Sequence, residues 1–179
     1  MSTGQNFIST SLVGGQDGTI FQDIYFRADN GSYMLNAADK GQLDPNHSIQ
    51  QITVSSGWIV DGISITYQLV DGGSTTIQHG TQFPSAAVIK FNGDERLVGV
   101  YGRAGNQTYY KRALVNNINF VIFDTAKGTT RTVGPFGNNN KSNEGTPFYS
   151  SDVLAFGGFA RWNSSEPIGL QGLFFYKKM

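Results

Sequence analysis

The sequence predicts one all-β domain, and three features of its 179 residues indicate this class. Most apolar runs are about four to eight residues long, alternate with polar residues and end at Gly, Asn or Asp. The chain contains 23 glycines but only five prolines, which suits many short strands joined by turns. Apolar spacing of the helical kind is hard to find. We therefore expect about ten to twelve strands.

The first clear group of predicted strands begins at residue 49. Residues 49–54 and 62–69 alternate apolar and polar side chains, and Ser55-Ser56-Gly57 follows the first of them. The turn sequence Asp71-Gly72-Gly73 comes next, so a third strand should start directly after it. We expect the first two strands to be neighbours in one sheet.

A hairpin is predicted around Asn92-Gly93, because Asn-Gly is a favoured two-residue turn between strands. Its arms would be residues 87–91 and 96–101. Later strands recur about every ten residues, as in sandwiches and barrels. They are predicted at residues 117–123, 130–133, 153–156 and 168–175.

The domain organisation follows from the length and from two irregular segments. Residues 1–179 are predicted to form a single domain, because this length lies in the usual range for one. Residues 1–11 are interpreted as an N-terminal extension. Residues 30–48 are polar and rich in turn residues, and are interpreted as an inserted loop or hairpin.

The charge and cysteine content exclude several classes of partner and chemistry. The chain carries 13 basic and 13 acidic residues, so it offers no extended basic field and nucleic acid is a poor partner. It has no cysteine, which excludes disulfides and thiol chemistry. No run of about eighteen apolar residues occurs, so membrane insertion is not expected. The N-terminus lacks a signal-peptide pattern, which favours a cytoplasmic location and leaves non-classical secretion open.

Catalytic residues are scarce, and we expect no enzyme activity and no cofactor. His47 and His79 are the only histidines, and neither has a second ligand at a metal-binding spacing. The Gly-x-Ser-x-Gly pattern of a nucleophile elbow is absent. Two carboxylates acting as a glycoside hydrolase remain the open enzymatic alternative, since spacing alone does not exclude them.

A series of glycine and turn motifs follows in a characteristic order. They are Gly14-Gly15-Gln16-Asp17-Gly18 with Phe21 and Asp23, Gly57 with Val60-Asp61-Gly62-Ile63 and Tyr67, His79-Gly80, Glu95, Gly134-Pro135-Phe136-Gly137, Gly145-Thr146-Pro147-Phe148, Phe156-Gly157-Gly158-Phe159-Ala160-Arg161, and Ile168-Gly169-Leu170. In this order they resemble the jacalin-related lectins, and the resemblance covers most of the chain. It implies a β-prism I fold, in which three four-stranded Greek-key sheets surround a pseudo-threefold axis.

The resemblance also implies a sugar site at one end of the prism. The family uses a main-chain N–H of the last glycine in the opening segment, which corresponds to Gly18. It also uses a Gly-x-x-x-Asp loop, in which two main-chain N–H groups and the aspartate hold adjacent sugar hydroxyls. Counting back from Ile168-Gly169-Leu170 places this loop at residues 162–166. The implied sugar-binding residues are Asp17, Gly18, Tyr101, Gly102, Arg103, Trp162, Asn163, Ser164, Ser165 and Glu166.

Within this set, Asn163 and Ser164 would supply the N–H groups and Glu166 the carboxylate. Tyr101, Gly102 and Arg103 correspond to the family's middle loop, which would contact a second sugar unit. The chain departs from the motif in having Trp162 for glycine and Glu166 for aspartate. A second alignment, anchored on Gly172, would leave no carboxylate at the site.

Each of these residues also has a purely structural interpretation. Glu166 would be a solvated turn carboxylate, Trp162 an aromatic side chain covering a loop, and Gly18 a hairpin glycine. The chemistry of sugars favours the functional one, because hydroxyl groups need fixed donors beside a fixed acceptor. A glycine at position 18 would also let the main chain approach a sugar ring closely.

The predicted function is therefore non-catalytic binding of mannose- or glucose-type glycans. The opening segment is continuous through Gly14 to Gly18, and in the family this goes with mannose preference. Galactose binding, or a protein-interaction module without sugar binding, are the alternatives. Mannose-containing glycans or glycoproteins are the expected partners, and a homo-oligomer is compatible with exposed strand edges and Phe174-Phe175.

Overall fold

The computed structural model describes residues 7–37, 41–161 and 169–178 and confirms the all-β class. This part of the chain contains fifteen strands. They are β1 (Phe7–Ser9), β2 (Val13–Gly14), β3 (Thr19–Gln22), β4 (Ile24–Arg27), β5 (Ser32–Leu35), β6 (Ile49–Ser56), β7 (Val60–Gln68), β8 (Ser74–Gly80), β9 (Ala87–Lys90), β10 (Glu95–Gln107), β11 (Arg112–Asp124), β12 (Thr129–Gly137), β13 (Thr146–Ser151), β14 (Val153–Ala160) and β15 (Leu170–Lys178). No helix in the described ranges is long and apolar enough to cross a membrane.

Three large antiparallel sheets form the body of the protein. Sheet I has the order β1-β15-β14-β3 with β2 also paired to β15, sheet II the order β8-β7-β6-β9, and sheet III the order β12-β11-β10-β13. In sheets II and III three consecutive strands are followed by a fourth that returns beside the first, which is a Greek key. Sheet I has the same arrangement if β1 and β2, from the start of the chain, are counted after β15. The predicted β-prism of three Greek-key sheets is therefore confirmed.

The hairpin predicted around Asn92-Gly93 is wrong. The strand before this turn, β9, pairs with β6 in sheet II, whereas the strand after it, β10, pairs with β11 and β13 in sheet III. The turn itself is tight, since Glu95 N–H donates to the Asn92 carbonyl at 3.1 Å and Asp94 N–H donates to Asn92 Oδ1 at 2.9 Å. The Asn-Gly sequence thus fixes a local change of direction, while the apolar faces decide which strands pair.

The number of strands exceeds the expected ten to twelve because several are very short. Strand β1 lies in the segment interpreted as an N-terminal extension, and it pairs with the C-terminal strand through Phe7 and Lys178. Within residues 30–48, β5 pairs with β4 in a separate two-stranded sheet. Leu35 and Leu43 from this region are fully buried, so they belong to the common core.

The core lies between the inner faces of the three sheets. Its largest fully buried side chains come from every sheet and include Ile52, Ile63, Phe120, Phe156 and Leu35. Burying a side chain of this size stabilises the fold by about 1.5–3 kcal/mol. The alternating apolar residues of the predicted strands supply most of this core, as the sequence pattern requires.

One buried polar network links sheets I and II. Asp23, between β3 and β4, accepts a hydrogen bond from the Tyr67 hydroxyl at 2.5 Å, and His79 Nε2 lies 2.6 Å from its other oxygen. The Tyr67 hydroxyl in turn accepts from Phe156 N–H at 3.1 Å. The pKa of Tyr67 is raised well above its usual value by burial and by Asp23. The ring of Phe21 stacks on His79 with centroids 3.5 Å apart.

We expect Tyr67→Phe to lower the free energy of unfolding by about 1–3 kcal/mol, because Asp23 loses one donor and the Phe156 N–H loses its acceptor. Urea denaturation at neutral pH measures the change. The matched control is Tyr149→Phe, since Tyr149 is 69% exposed. That variant should stay within about 0.5 kcal/mol of the parent. Equal stability of the two variants would contradict a structural role for the network.

Candidate functional site

The same backbone arrangement occurs three times at one end of the prism. In each sheet a glycine with positive φ lies so close to a main-chain carbonyl oxygen that no side chain could be accommodated. A Cβ on this glycine would lie 2.4, 2.5 and 2.3 Å from the oxygen for the pairs Gly14–Gln171, Gly80–Asp61 and Gly137–Asn116, respectively. Contacts this short prohibit any residue with a Cβ, so glycine is required at all three positions.

The three carbonyl-bearing residues also occupy equivalent positions in strand pairing. In sheet II, Ser55 pairs with Gly62 and Ser56 with Val60, so Asp61 is the extra residue of a bulge. The register shifts in sheets I and III skip Gln171 and Asn116 in the same way. Asp61, Gln171 and Asn116 are therefore pseudo-threefold equivalents. Only sheet II has an acid at this position.

Asp61 ends a Gly-x-x-x-Asp sequence, Gly57-Trp58-Ile59-Val60-Asp61, which comprises the turn from β6 to β7 and the first two residues of β7. Its side chain is only 6% exposed. The Oδ2 atom lies 4.0 Å from the position that a Cβ on Gly57 would take, so the carboxylate points back into the turn. No described residue forms a hydrogen bond or ion pair with this carboxylate. Its oxygens thus face the turn with their hydrogen-bonding capacity unused.

Two main-chain donors lie in the same turn. Within the described ranges, neither Trp58 N–H nor Ile59 N–H donates to another residue. The turn is nevertheless held in place, because Gly57 N–H donates to the Ile59 carbonyl at 2.9 Å. Asn138 N–H, from sheet III, donates to the Trp58 carbonyl at 2.9 Å. The turn therefore presents a fixed carboxylate and two fixed N–H groups, which together form the candidate site.

Burial changes the acidity of Asp61. It raises the pKa of this carboxyl from its usual value near 3.8 to about 7, because no opposite charge among the described residues compensates the loss of water. The carboxyl is consequently neutral in the folded protein at mildly acidic pH and ionised above neutrality. Burial and, secondly, the Asp61 charge raise the pKa of Tyr110, whose side chain packs against Ile59 of the turn.

The opening segment, residues 14–18, contains another part of the predicted site. Gly18 has φ +105°, and a Cβ there would lie 2.5 Å from the Ala160 carbonyl oxygen, so glycine is required. The Asp17 carboxylate binds the guanidinium of Arg161 at 2.7 Å and lies 4.0 Å from that of Arg112. This carboxylate is thus already paired with the two guanidinium groups. It attaches the opening segment to the end of β14 and the start of β11.

The remaining predicted site residues fall into two groups. Tyr101, Gly102 and Arg103 were expected in a middle loop, and this expectation is wrong because they lie inside strand β10. Arg103 donates to the carbonyls of Glu144 at 3.3 Å and Gly145 at 2.6 Å. The other group, Trp162, Asn163, Ser164, Ser165 and Glu166, lies outside the described residues, so its binding role stays a prediction.

The loop that approaches the opening segment is instead the turn from β10 to β11. A Cβ on Gly15 would lie 2.5 Å from the carbonyl oxygen of Ala113, at the start of β11. Residues 108–111 form the turn itself and include Tyr109 and Tyr110. The long alternating strand extends further than its apolar pattern indicated, which is why the turn was placed too early in the chain.

The Gly57–Asp61 site was missed at the sequence level although its spacing was present. The family motif is expected before the last strand, so the earlier Gly-x-x-x-Asp spacing was not assigned to the site. Gln171, at the position equivalent to Asp61, carries an amide, so an acid for a sheet I site would have to come from the segment before β15, where Glu166 is the predicted acceptor. The signal that marks Gly57–Asp61 in the sequence is this same spacing, directly before the predicted strand at residues 62–69.

The raised pKa of Asp61 should make stability depend on pH. The unfolded carboxyl ionises near pH 4 but the folded one near pH 7, so the folded state binds the extra proton between these values. The free energy of unfolding of the parent should therefore fall, relative to Asp61→Asn, by about 3 kcal/mol from pH 4 to pH 7. Parallel stability curves for the two proteins in urea denaturation would contradict this.

Comparison with known proteins places the chain in a family. The model of the jacalin-like lectin domain matches residues 11–166. A mannose-binding jacalin-related lectin from Ananas comosus is 23% identical over 98% of this chain and 100% of that one, with a TM-score of 0.68. A mannose-specific jacalin-related lectin from Morus nigra, solved with mannose, is 22% identical over 100% and 99% of the two chains, with a TM-score of 0.69.

Artocarpin, solved with mannotriose, is 22% identical over 98% of this chain and 100% of its own, with a TM-score of 0.69. No curated protein sequence matches the chain significantly. The family model covers far more than half of the chain, and the three Greek-key sheets agree with it. The chain therefore belongs to the family of proteins with a jacalin-like lectin domain.

Proposed function

We propose that this protein binds neutral sugars without modifying them, and that the Gly57–Asp61 turn is a principal binding site. The observation that carries the proposal is the buried Asp61 carboxylate, which has no partner among the described residues and lies beside the two undonated N–H groups of Trp58 and Ile59. Buried polar groups are normally hydrogen-bonded, so an unpaired set of this kind is suited to a ligand.

The chemistry of a pyranose fits this arrangement. Adjacent sugar hydroxyls each donate and accept, so one carboxylate can accept from two of them while the N–H groups donate to the same oxygens. Hydrogen bonds to an ionised acceptor are stronger than those between neutral groups. Main-chain donors lose no side-chain entropy on binding. Each bond replaces one to water, so we expect affinities of roughly millimolar to micromolar per site.

Mannose- or glucose-type sugars are the proposed ligands. Several structural relatives are described as mannose-binding, and two of those compared were solved with mannose or mannotriose. The continuous opening segment from Gly14 to Gly18 supports the same choice. Discrimination between epimers depends on one hydroxyl and amounts to a few kcal/mol at most. Mannose-containing glycans or glycoproteins are accordingly the proposed partners.

A second site in sheet I is also proposed, at Gly18 with Glu166 as the acceptor. Gly18 is exposed, and its N–H does not donate to any residue within the described ranges, which supports this second site. The two proposed sites differ in their acids, which makes them separable by mutation. Two sites of modest affinity in one chain would increase binding to branched or clustered glycans.

Replacing the two acids one at a time should identify the working site. We expect Asp61→Ala to remove one methyl α-mannoside site, measured as a loss of at least about tenfold in affinity or of one unit of stoichiometry by calorimetry. Glu166→Ala should do the same for sheet I. Asp71→Ala, in an exposed turn, is the control and should bind like the parent. Parental affinity and stoichiometry in both single variants would contradict the proposal.

Binding at Asp61 should weaken as the pH falls below 7, because the sugar needs the ionised carboxylate as acceptor. With a pKa of about 7, only roughly one carboxyl in a hundred is ionised at pH 5. Affinity for methyl α-mannoside should therefore drop up to about a hundredfold between pH 8 and pH 5 at this site. The sugar itself does not titrate in this range. A flat profile in Glu166→Ala, where only the Asp61 site remains, would contradict the assignment.

A further inference from the structure

A cavity lies at the end of the prism opposite the candidate sugar site. Strand β6 ends at the Gly57–Asp61 turn, β10 ends at the turn of residues 108–111, and β14 ends beside Gly18. The starts of these three strands therefore lie together at the far end, and they line the cavity. The length of β6 separates the two ends of the prism by roughly 20 Å. A ligand in this cavity would not touch a sugar bound at the other end.

The cavity is small and is lined from all three sheets. The segment before β6 contributes His47, the start of β10 contributes Arg96, and the turn between β13 and β14 contributes Asp152. The volume is about 220 Å³. This is the space of roughly seven water molecules, which suits a compact metabolite. One wall is apolar and consists of buried core side chains, namely Ile49, Leu97, Val153 and Leu154.

Arg96 is held in place by neutral acceptors. Its Nε donates to the Asn46 carbonyl at 3.0 Å, and its Nη1 donates to the carbonyls of Gly93 and Glu95 at 2.7 and 2.9 Å. Its Nη2 has no partner among the described residues, and neither does the guanidinium form an ion pair with any of them. The positive charge is thus positioned by the fold but left without an opposite charge.

The Asp152 carboxylate supplies the opposite charge and is also unpaired. Asp152 has φ +54°, in the left-handed region that aspartate and asparagine adopt more readily than most residues. Its N–H donates to the Val98 carbonyl at 3.4 Å. Within the described ranges, no residue forms a hydrogen bond or ion pair with its carboxylate. Arg96 and Asp152 line the same cavity without pairing with each other, so the space between them is open to a ligand.

His47 adds an unpaired neutral group. Burial and, secondly, the Arg96 charge lower the pKa of His47 against an opposing effect of Asp44, so its ring is neutral at pH 7. Its Nε2 atom is buried and has no hydrogen-bond partner in the part of the chain that the structure describes. Buried polar atoms are normally hydrogen-bonded, so this atom is a second, independent indication of a ligand site.

The two opposite charges limit the class of ligand. Asp152 would repel a simple anion, and Arg96 would repel a metal ion. The described ranges contain no group of three His, Cys, Asp or Glu side chains suited to a metal. A neutral ligand would leave both charges unpaired. A small zwitterion satisfies them together, because a carboxylate pairs well with a guanidinium and an ammonium group pairs with a carboxylate.

We propose that this cavity binds a free α-amino acid with a medium-sized apolar side chain. The ligand carboxylate is bound by Arg96 and its ammonium group by Asp152. Its side chain lies against the apolar wall that includes Leu97 and Leu154. Partly exposed ion pairs contribute little each, so we expect a dissociation constant of roughly 1 mM. The site is separate from the sugar-binding turns, and its existence does not depend on the proposed function.

The first test uses the unmodified protein and three matched compounds in NMR titrations at pH 7. They are leucine, isocaproate, which is leucine without its ammonium group, and isoamylamine, which is leucine without its carboxylate. Leucine should bind at least about fivefold more tightly than either analogue. The amide signals that shift should belong to residues 45–49, 96–98 and 152–154. No shifts there at about 20 mM leucine, or equal binding of all three compounds, would overturn the proposal.

The second test removes one charge without changing the backbone requirement. Asp152→Asn keeps the size of the side chain and its tolerance of the left-handed conformation. It should weaken leucine binding at least about fivefold but should not weaken isocaproate binding, because isocaproate has no ammonium group. Asp71→Asn, in the exposed turn between β7 and β8, is the matched control and should bind leucine like the parent. Parental leucine affinity in Asp152→Asn would contradict the assigned role of this carboxylate.

Discussion

The contact between a left-handed glycine and the carbonyl of a bulge residue fixes the end of the prism where the candidate site lies. It occurs once in each sheet, and the backbone geometry leaves no room for a Cβ. Because the contact uses only main-chain atoms of the bulge residue, its side chain is free to differ. The three sheets carry different residues at this position, namely Asp61, Gln171 and Asn116. The same backbone arrangement thus carries three chemically different side chains at equivalent positions.

Two buried aspartates illustrate how the surroundings decide the role of a carboxylate. Asp23 is 1% exposed and its oxygens are bonded to Tyr67 and His79, so its charge is used within the fold. Asp61 is 6% exposed and has no such partner among the described residues. Asp23 therefore stabilises the connection between sheets, whereas the Asp61 oxygens still reach solvent and remain available to a ligand.

Most of the fold could be predicted because it follows from local patterns. Alternation in residues such as Ile63, Ile65 and Tyr67 identifies a strand and its buried face directly, and each predicted strand segment overlaps an observed one. Partner choice was harder, because the Asn92-Gly93 turn specifies direction but not pairing. The resemblance to a known family supplied the three-sheet arrangement that periodicity alone did not.

The candidate site was predicted less well, since it depends on features that single residues do not reveal. A bulge shifts register by one residue, and nothing in the side chains of Leu170, Gln171 and Gly172 marks it. The end of β10 was equally hidden, because the alternating pattern predicted a strand only to Tyr101, whereas β10 continues to Gln107. Gly18 was predicted to let the main chain approach a sugar, and the structure shows another reason for glycine there, namely its close contact with the Ala160 carbonyl. Sugar binding at Gly18 stays a prediction.

The loops at this end of the prism support one another in a cycle. The opening segment of sheet I contacts Ala113 of sheet III. Asn138, next to sheet III, is hydrogen-bonded to Trp58 of sheet II. Thr81, at the end of sheet II, lies against Gly169, directly before β15 in sheet I. Each turn at this end of the prism therefore contacts a residue of a neighbouring sheet, which holds the turn in place.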